Sequence, residues 1–329
     1  MPAARAIVQL TLLGCLALAA CGSGDAPGPE AATVAPPAGD TAPSGGTAPS
    51  GGTAPAAELP ELLRVGLIPN IAPEEQEARY QPFAEHLSDD LGVDVELFVA
   101  ADYAGVVAAL ASDRIDVAYL GGLTYVQAEE QVELTPLVTE IDALTGTPEY
   151  ESAVVVLDES PLTSLEELVE AGGTFAFGDP SSTSGSLYPR IMLTDAGVDC
   201  EVVDLSACPP LSSVTFTGGH DATAQAVLSG SVDAGGLELR ILHRLERDGT
   251  VPEGALRVID TRPVPGYPWV GRTALGEATL DAVIGSFLAI DDPELLDLLR
   301  ATEYVEVDPE DYDEIRERGA ELGLVTEFS

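Results

Sequence analysis

The chain has 329 residues, with 56 Asp and Glu against 14 basic residues, all of them arginine, and a formal net charge of −42. A polyanion of this strength is repelled by nucleic-acid phosphates and by anionic lipid, which excludes both as partners. The acids are spread along the whole length, the pattern of a solvated acidic surface suited to a saline outside medium.

In chain order, Arg5 precedes an apolar run, Ile7 to Leu18, too short for a stable membrane span of about 20 residues. Leu18-Ala19-Ala20-Cys21 follows and resembles a bacterial lipobox. That resemblance implies cleavage before Cys21, lipidation of its thiol, and export to the outer side of the cytoplasmic membrane. An ordinary secretory signal with an incidental cysteine is the other reading. Residues 22–58 are Gly, Ser, Thr, Ala and Pro, and Thr41-Ala-Pro-Ser-Gly-Gly recurs at Thr47 to Gly52. Such a segment buries too little surface to offset its ordering entropy, so a disordered tether is expected. The remainder, about 270 residues, suits two α/β domains better than one small core.

From residue 60 onward, strand and helix patterns alternate. Strands are expected at Leu63–Ile68, Val93–Val99, Ile115–Leu120, Leu134–Val138, Ala153–Leu157, Thr174–Phe177, Ser213–Thr217, Val232–Gly235 and Leu256–Asp260. Helices are expected at Glu74–Leu91, Ala104–Leu110, Leu123–Gln131, Leu165–Val169, Leu187–Leu193, Asp221–Leu228 and Leu237–Leu245. A Pro-rich loop and three helices complete the chain. This rhythm predicts a mainly parallel sheet with covered faces.

The stretch Phe177-Gly-Asp-Pro-Ser-Ser-Thr-Ser-Gly185 joins a strand to a helix start through a turn set by Gly and Pro. The free N–H groups of a first helical turn, with the helix dipole behind them, suit an anion. The hydroxyls of Ser182, Thr183 and Ser184 add uncharged donors, although such residues also serve as plain helix caps. Cys200 and Cys208 read as a disulfide closing a small loop in an exported protein. Of three histidines, His86, His220 and His243, none is spaced for metal, so neither a metal nor another cofactor is expected.

Six stretches in order resemble the substrate-binding proteins of phosphate, phosphite and phosphonate ABC transporters. They are Leu63-Arg-Val-Gly-Leu-Ile-Pro, Ala101-Asp-Tyr-Ala-Gly-Val-Val, Ile115-Asp-Val-Ala-Tyr-Leu-Gly-Gly-Leu-Thr-Tyr, the Ser/Thr turn itself, Gly218-Gly-His-Asp-Ala, and Pro265-Gly-Tyr-Pro. The resemblance implies an α/β, two-lobed type II periplasmic binding protein fold with two hinge-crossing strands. The crossings are expected near Tyr150–Val155 and Asp260–Pro263, with lobe one at 60–148 plus 264–329 and lobe two at 149–260. It further implies that Ser182, Thr183 and Ser184 hold a phosphorus oxyanion, that Tyr103, Tyr150 and Thr124 donate to it, and that His220 bonds an oxygen. Asp221 is expected either to orient His220 or to accept a ligand proton. Implied partners are an ABC permease and ATPase, with the binding protein a monomer.

Aminoalkylphosphonate binders of this family hold the ligand ammonium with two acids, one after V-D-x-A and one in P-G-D-P. Here Tyr267 stands at the second place, and Glu238 and Arg240 fall in the first region. The ammonium site is therefore expected to be altered, with Arg240 either favouring an anionic ligand or pairing with Glu238. A small phosphorus oxyanion without an amine is the expected ligand. A module reporting to a membrane sensor has the same site requirements, whereas an exported phosphoesterase lacks the metal cluster or activated nucleophile it needs.

Overall fold

The computed structural model describes residues 59–200, 204–298 and 300–325. The signal, Cys21 and the tether lie outside the described residues. The first stretch runs β1 (Leu62–Leu67), α1 (Pro73–Leu91), β2 (Asp94–Val99), α2 (Tyr103–Ala111), β3 (Val117–Tyr119), α3 (Gly122–Glu129) and β4 (Leu134–Asp142). The middle contains β5 (Glu149–Leu157), α4 (Leu165–Glu170), β6 (Thr174–Phe177), α5 (Tyr188–Asp195), β7 (Ser213–Phe216), α6 (His220–Leu228), β8 (Ala234–Glu238), α7 (Leu239–Arg247) and β9 (Leu256–Pro265). The chain then gives β10 (Trp269–Arg272), α8 (Glu277–Leu288), α9 (Pro293–Leu298), β11 (Ala301–Glu306) and α10 (Asp313–Glu321).

These strands form two sheets. One has six strands in the order β11-β4-β10-β3-β1-β2, and the other five in the order β7-β6-β8-β5-β9. The expectation of a mainly parallel sheet is corrected here. β1 pairs parallel with β2 and β3, and β6 with β7 and β8, while β10, β11, β5 and β9 all join antiparallel. β5 and β10 enter from the other sheet, where no crossover helix fixes their direction, and β9 and β11 return antiparallel within their own sheets.

The chain passes between the sheets at 143–148 and at 266–268. Tyr150–Val155 and Asp260–Pro263, where the crossings were expected, lie inside β5 and β9, which pair from Glu149↔Pro265 to Leu157↔Leu256. The expected Pro-rich loop is thus strand. Pro263 and Pro265 are tolerated because β9 is the edge of its sheet, where a missing N–H breaks no ladder.

One core lies about the six-stranded sheet, where Phe83, Trp269 and Phe287 meet with ring centroids 4.8–5.1 Å apart. The five-stranded sheet is covered by two clusters, one of which includes Val155, Ile241 and Leu245 and the other Phe175, Phe177 and Met192. Cys200 and Cys208 are joined by a disulfide beside the latter. No helix among the described residues is long and apolar enough to cross a membrane.

Candidate functional site

Four helix starts meet between the two sheets: those of α2 and α3 on one side, and those of the Thr183 segment and α6 on the other. After β6, Gly178 packs its Cα against Gly185, and a single wide helical turn, Thr183–Leu187, leads into α5. Ser182 caps that turn, its Oγ accepting from the Gly185 N–H at 3.0 Å. The cap role expected of these residues is thus filled by Ser182.

Thr183 and Thr124 make contacts that bridge the lobes. Thr183 Oγ1 accepts from the Leu123 N–H at 3.0 Å, and Thr124 Oγ1 donates to the Ser181 carbonyl at 2.9 Å. Asp179, not singled out by sequence, accepts from Ser181 N at 2.8 Å and from Tyr103 N at 3.4 Å across the cleft. Asn70 accepts from the His220 N–H at 3.0 Å.

Several donors in this region are buried without a well-aligned partner in the chain. Ser184 Oγ, Tyr150 Oη and His220 Nε2 make no hydrogen bond of good geometry, although the Tyr150 hydroxyl lies against Ser184 and Tyr267, and their residues are at most 1 % exposed. Ser152 Oγ donates to the Ser184 carbonyl at 2.8 Å, which holds the backbone there and leaves the Ser184 hydroxyl to face elsewhere. The Tyr103 hydroxyl is set against Ser182. Burial pushes the Tyr103 and Tyr150 phenols up, so both stay protonated donors.

His220 is neutral for the same reason. Burial outweighs the pull of Glu238 and holds its pKa at about 4. Its Nδ1 accepts from the Glu238 N–H at 3.3 Å, so the ring proton sits on Nε2 and makes it a donor. Asp221 turns to Ala72, whose N–H it accepts at 3.3 Å, and the ring of His220 is oriented by the Glu238 backbone.

Glu238 ends β8 and caps α7, and its side chain is fully buried. Oε1 accepts from Arg240 Nε at 2.6 Å and Arg300 Nη1 at 3.0 Å, and Oε2 accepts from the Tyr267 hydroxyl at 2.7 Å. Burial alone would raise its pKa, but Arg240 and Arg300 hold it at about 2. Arg240 continues to Glu140 at 3.0 Å and Asp142 at 3.1 Å, and its guanidinium lies over the Tyr150 ring at 4.6 Å. Of the two readings of Arg240, pairing with Glu238 is the one this geometry contains. Glu140, Asp142 and Arg300 come from distant segments and carried no local sequence signal. The described residues contain no group of three or more His, Cys, Asp or Glu placed to hold a metal ion.

Two α/β lobes, joined by two connections and facing each other with helix N-termini, define the type II periplasmic binding fold. Residues 65–312 match the family model described as ABC transporter, phosphonate, periplasmic substrate-binding protein, and the chain belongs to that family. It is 32% identical over 232 residues to the phosphate-import protein PhnD of Mycolicibacterium smegmatis, covering 69% of this chain and 71% of that one. It is 29% identical over 236 residues to the phosphonates-binding periplasmic protein of Escherichia coli, covering 71% and 67% respectively. Among solved structures, PhnD1 of Prochlorococcus marinus in complex with methylphosphonate superposes with a TM-score of 0.71 at 26% identity. That match covers 80% of this chain and 99% of the other. The chain is thus an exported substrate-binding protein of an ABC importer, and not an enzyme.

Proposed function

We propose that this protein captures a small phosphorus oxyanion without an amine (phosphite, methylphosphonate or phosphate) by closure of lobe one, 60–148 plus 264–329, on lobe two, 149–260. The observation that carries the reading is the set of three buried, uncharged donors without a well-aligned partner, Ser184 Oγ, Tyr150 Oη and His220 Nε2. Ser182, Thr183 and Tyr103 add hydroxyls around the same helix starts, whereas Thr124 spends its proton on the Ser181 carbonyl. Donors to a charged ligand contribute roughly 1.5–3 kcal/mol each, enough in concert to offset desolvation of the oxyanion. The preference for an amine-free ligand rests on Glu238, both of whose oxygens are taken by Arg240, Arg300 and Tyr267. The relatives named for phosphate and crystallised with methylphosphonate support the same ligand class.

In this reading Cys21 carries lipid, residues 22–58 tether the folded part, and the monomer delivers its ligand to a permease and ATPase. Calorimetric titration with phosphite, methylphosphonate, phosphate and 2-aminoethylphosphonate tests the site. Tight binding of one of the first three, with the aminophosphonate far weaker, is the expected result. Preference for the aminophosphonate, or silence from all four, overturns it.

A further inference from the structure

Behind the candidate oxyanion site, on the far side of Arg240, a cavity of about 90 Å³ lies where α7 of one lobe meets the end of β4 and the α9–β11 connection of the other. Arg240, His243, Arg244 and Arg247 line one wall, and Asp142, Asp297 and Arg300 line the opposite one. Four of the chain's 14 basic residues therefore converge on one small space in a molecule of net charge −42.

Their pairing is uneven. Arg240 and Arg300 share Glu238, and Arg240 also reaches Glu140 and Asp142. Asp142 is itself saturated, its other oxygen accepting from the Leu144 and Thr145 amides at 2.8 and 2.7 Å. Glu140 Oε2 has no partner, but its Oε1 is already committed to Arg240 and to the Tyr119 hydroxyl. Arg244 is 3 % exposed, and among the described residues it makes no ion pair; its Nε and Nη2 have no hydrogen-bond partner. Arg240 Nη2 is likewise unpartnered. Burial, reinforced by Arg300 and Arg79, lowers the Arg244 pKa to about 10, so it remains a cation at neutral pH. A buried guanidinium with N–H groups unmet is strongly unfavourable unless an anion answers it.

We propose that this cavity binds a small monovalent inorganic anion of the halide class, held by Arg244 Nε and Nη2 with Arg240 Nη2 and bridging the two lobes. The small volume suits a compact ion better than an organic acid, and the carboxylates of Asp142 and Asp297 on its wall disfavour multiply charged anions. Because its walls come from both lobes, an anion bound there stabilises the closed arrangement. By linkage it then tightens whatever ligand closure serves.

The test uses chloride as probe on the full chain, with gluconate replacing it at constant ionic strength and no phosphorus ligand present. Chloride NMR linewidth should show saturable excess broadening, and the melting temperature should rise as chloride replaces gluconate. Arg244→Gln should lose both effects, Arg244→Lys should keep a reduced chloride effect, and Arg318→Gln, far from the cavity, should behave as wild type. Absence of saturable broadening in the wild type overturns the proposal, as does broadening undiminished in Arg244→Gln. A merely structural arginine would lower the melting temperature equally in both media. Inorganic phosphate titrated in the two media should bind several-fold more tightly in chloride. Failure of phosphate to bind at all would count against the oxyanion site and leave the chloride readouts to decide this one.

Discussion

His220 shows how burial turns an ordinary titrating side chain into a neutral hydrogen-bond donor. Its ring lies beside Gly185, where an added Cβ would sit 3.1 Å from Cε1, so the backbone of the Ser/Thr turn and the imidazole are packed in direct contact. Because the ring is neutral and its Nδ1 is used, it offers one N–H and no net charge. Ser184→Ala removes a comparable donor, and affinity for the preferred oxyanion should fall about 10- to 150-fold, the equivalent of 1.5–3 kcal/mol, in calorimetry. A loss under twofold would place Ser184 outside the ligand shell. The same histidine sets a pH dependence of folding. Its folded pKa of about 4 lies below the ordinary 6.5, so the unfolded chain binds more protons between these values. Stability is fully present above pH 6.5 and is lost as pH falls toward 4, by roughly 3 kcal/mol. Glu238, at about 2 against 4.5, adds a second loss that starts only below pH 4.5. Thermal melts across pH should therefore show a slope between 6.5 and 4.5 that His220→Gln flattens, and an unchanged slope in that variant would assign it elsewhere.

At the scale of elements, the helix starts do more than present donors, because they also interlock. Gly121 caps α3, and an added Cβ there would stand 2.8 Å from Thr183 Oγ1 and 3.6 Å from Thr124 Oγ1. Its φ of −74° suits any residue, so the clash is interlobe and exists only when the lobes meet. Gly121→Ala should therefore weaken ligand binding by tenfold or more, with the melting temperature of the free protein unchanged; a lowered melting temperature would locate the strain within the lobe. The sequence made these starts readable because each follows a strand and opens with Gly, Ser or Asp. It hid other elements. β10, with Trp269, and β11, with Tyr304, lie inside what read as loop and helix, since short antiparallel strands lack the strand-helix rhythm that marks the rest. Glu238 was legible as a residue near the site, but its bonds to Arg240, Arg300 and Tyr267 join segments far apart in the chain. No local pattern encodes that network, on which the proposed preference for an amine-free ligand rests.

The molecule as a whole carries a large excess of acids, most of them on the surface, while three of its arginines are buried. Arg190, 1 % exposed, sits over the Phe177 ring at 4.3 Å, and Arg240 and Arg244 are also buried. Five acids, Asp116, Glu140, Asp142, Asp179 and Glu238, are buried as well, so burial removes little of the net charge and the surface stays strongly negative; most surface pairs, such as Arg262 with Asp195, are exposed and contribute little. Self-repulsion among so many carboxylates opposes the compact state, and salt relieves it by screening. Raising sodium gluconate from about 0.01 M, with a screening length of about 30 Å, to about 1 M, where it is about 3 Å, should raise the melting temperature steadily. Gluconate fits the small arginine cavity poorly, so this rise measures chiefly screening. Buried pairs such as Arg240 with Glu238 are screened far less, and replacing Glu238 should cost the same at both salt extremes. A melting temperature that stays flat or falls with gluconate would mean that surface ion pairs, rather than repulsion, dominate the balance.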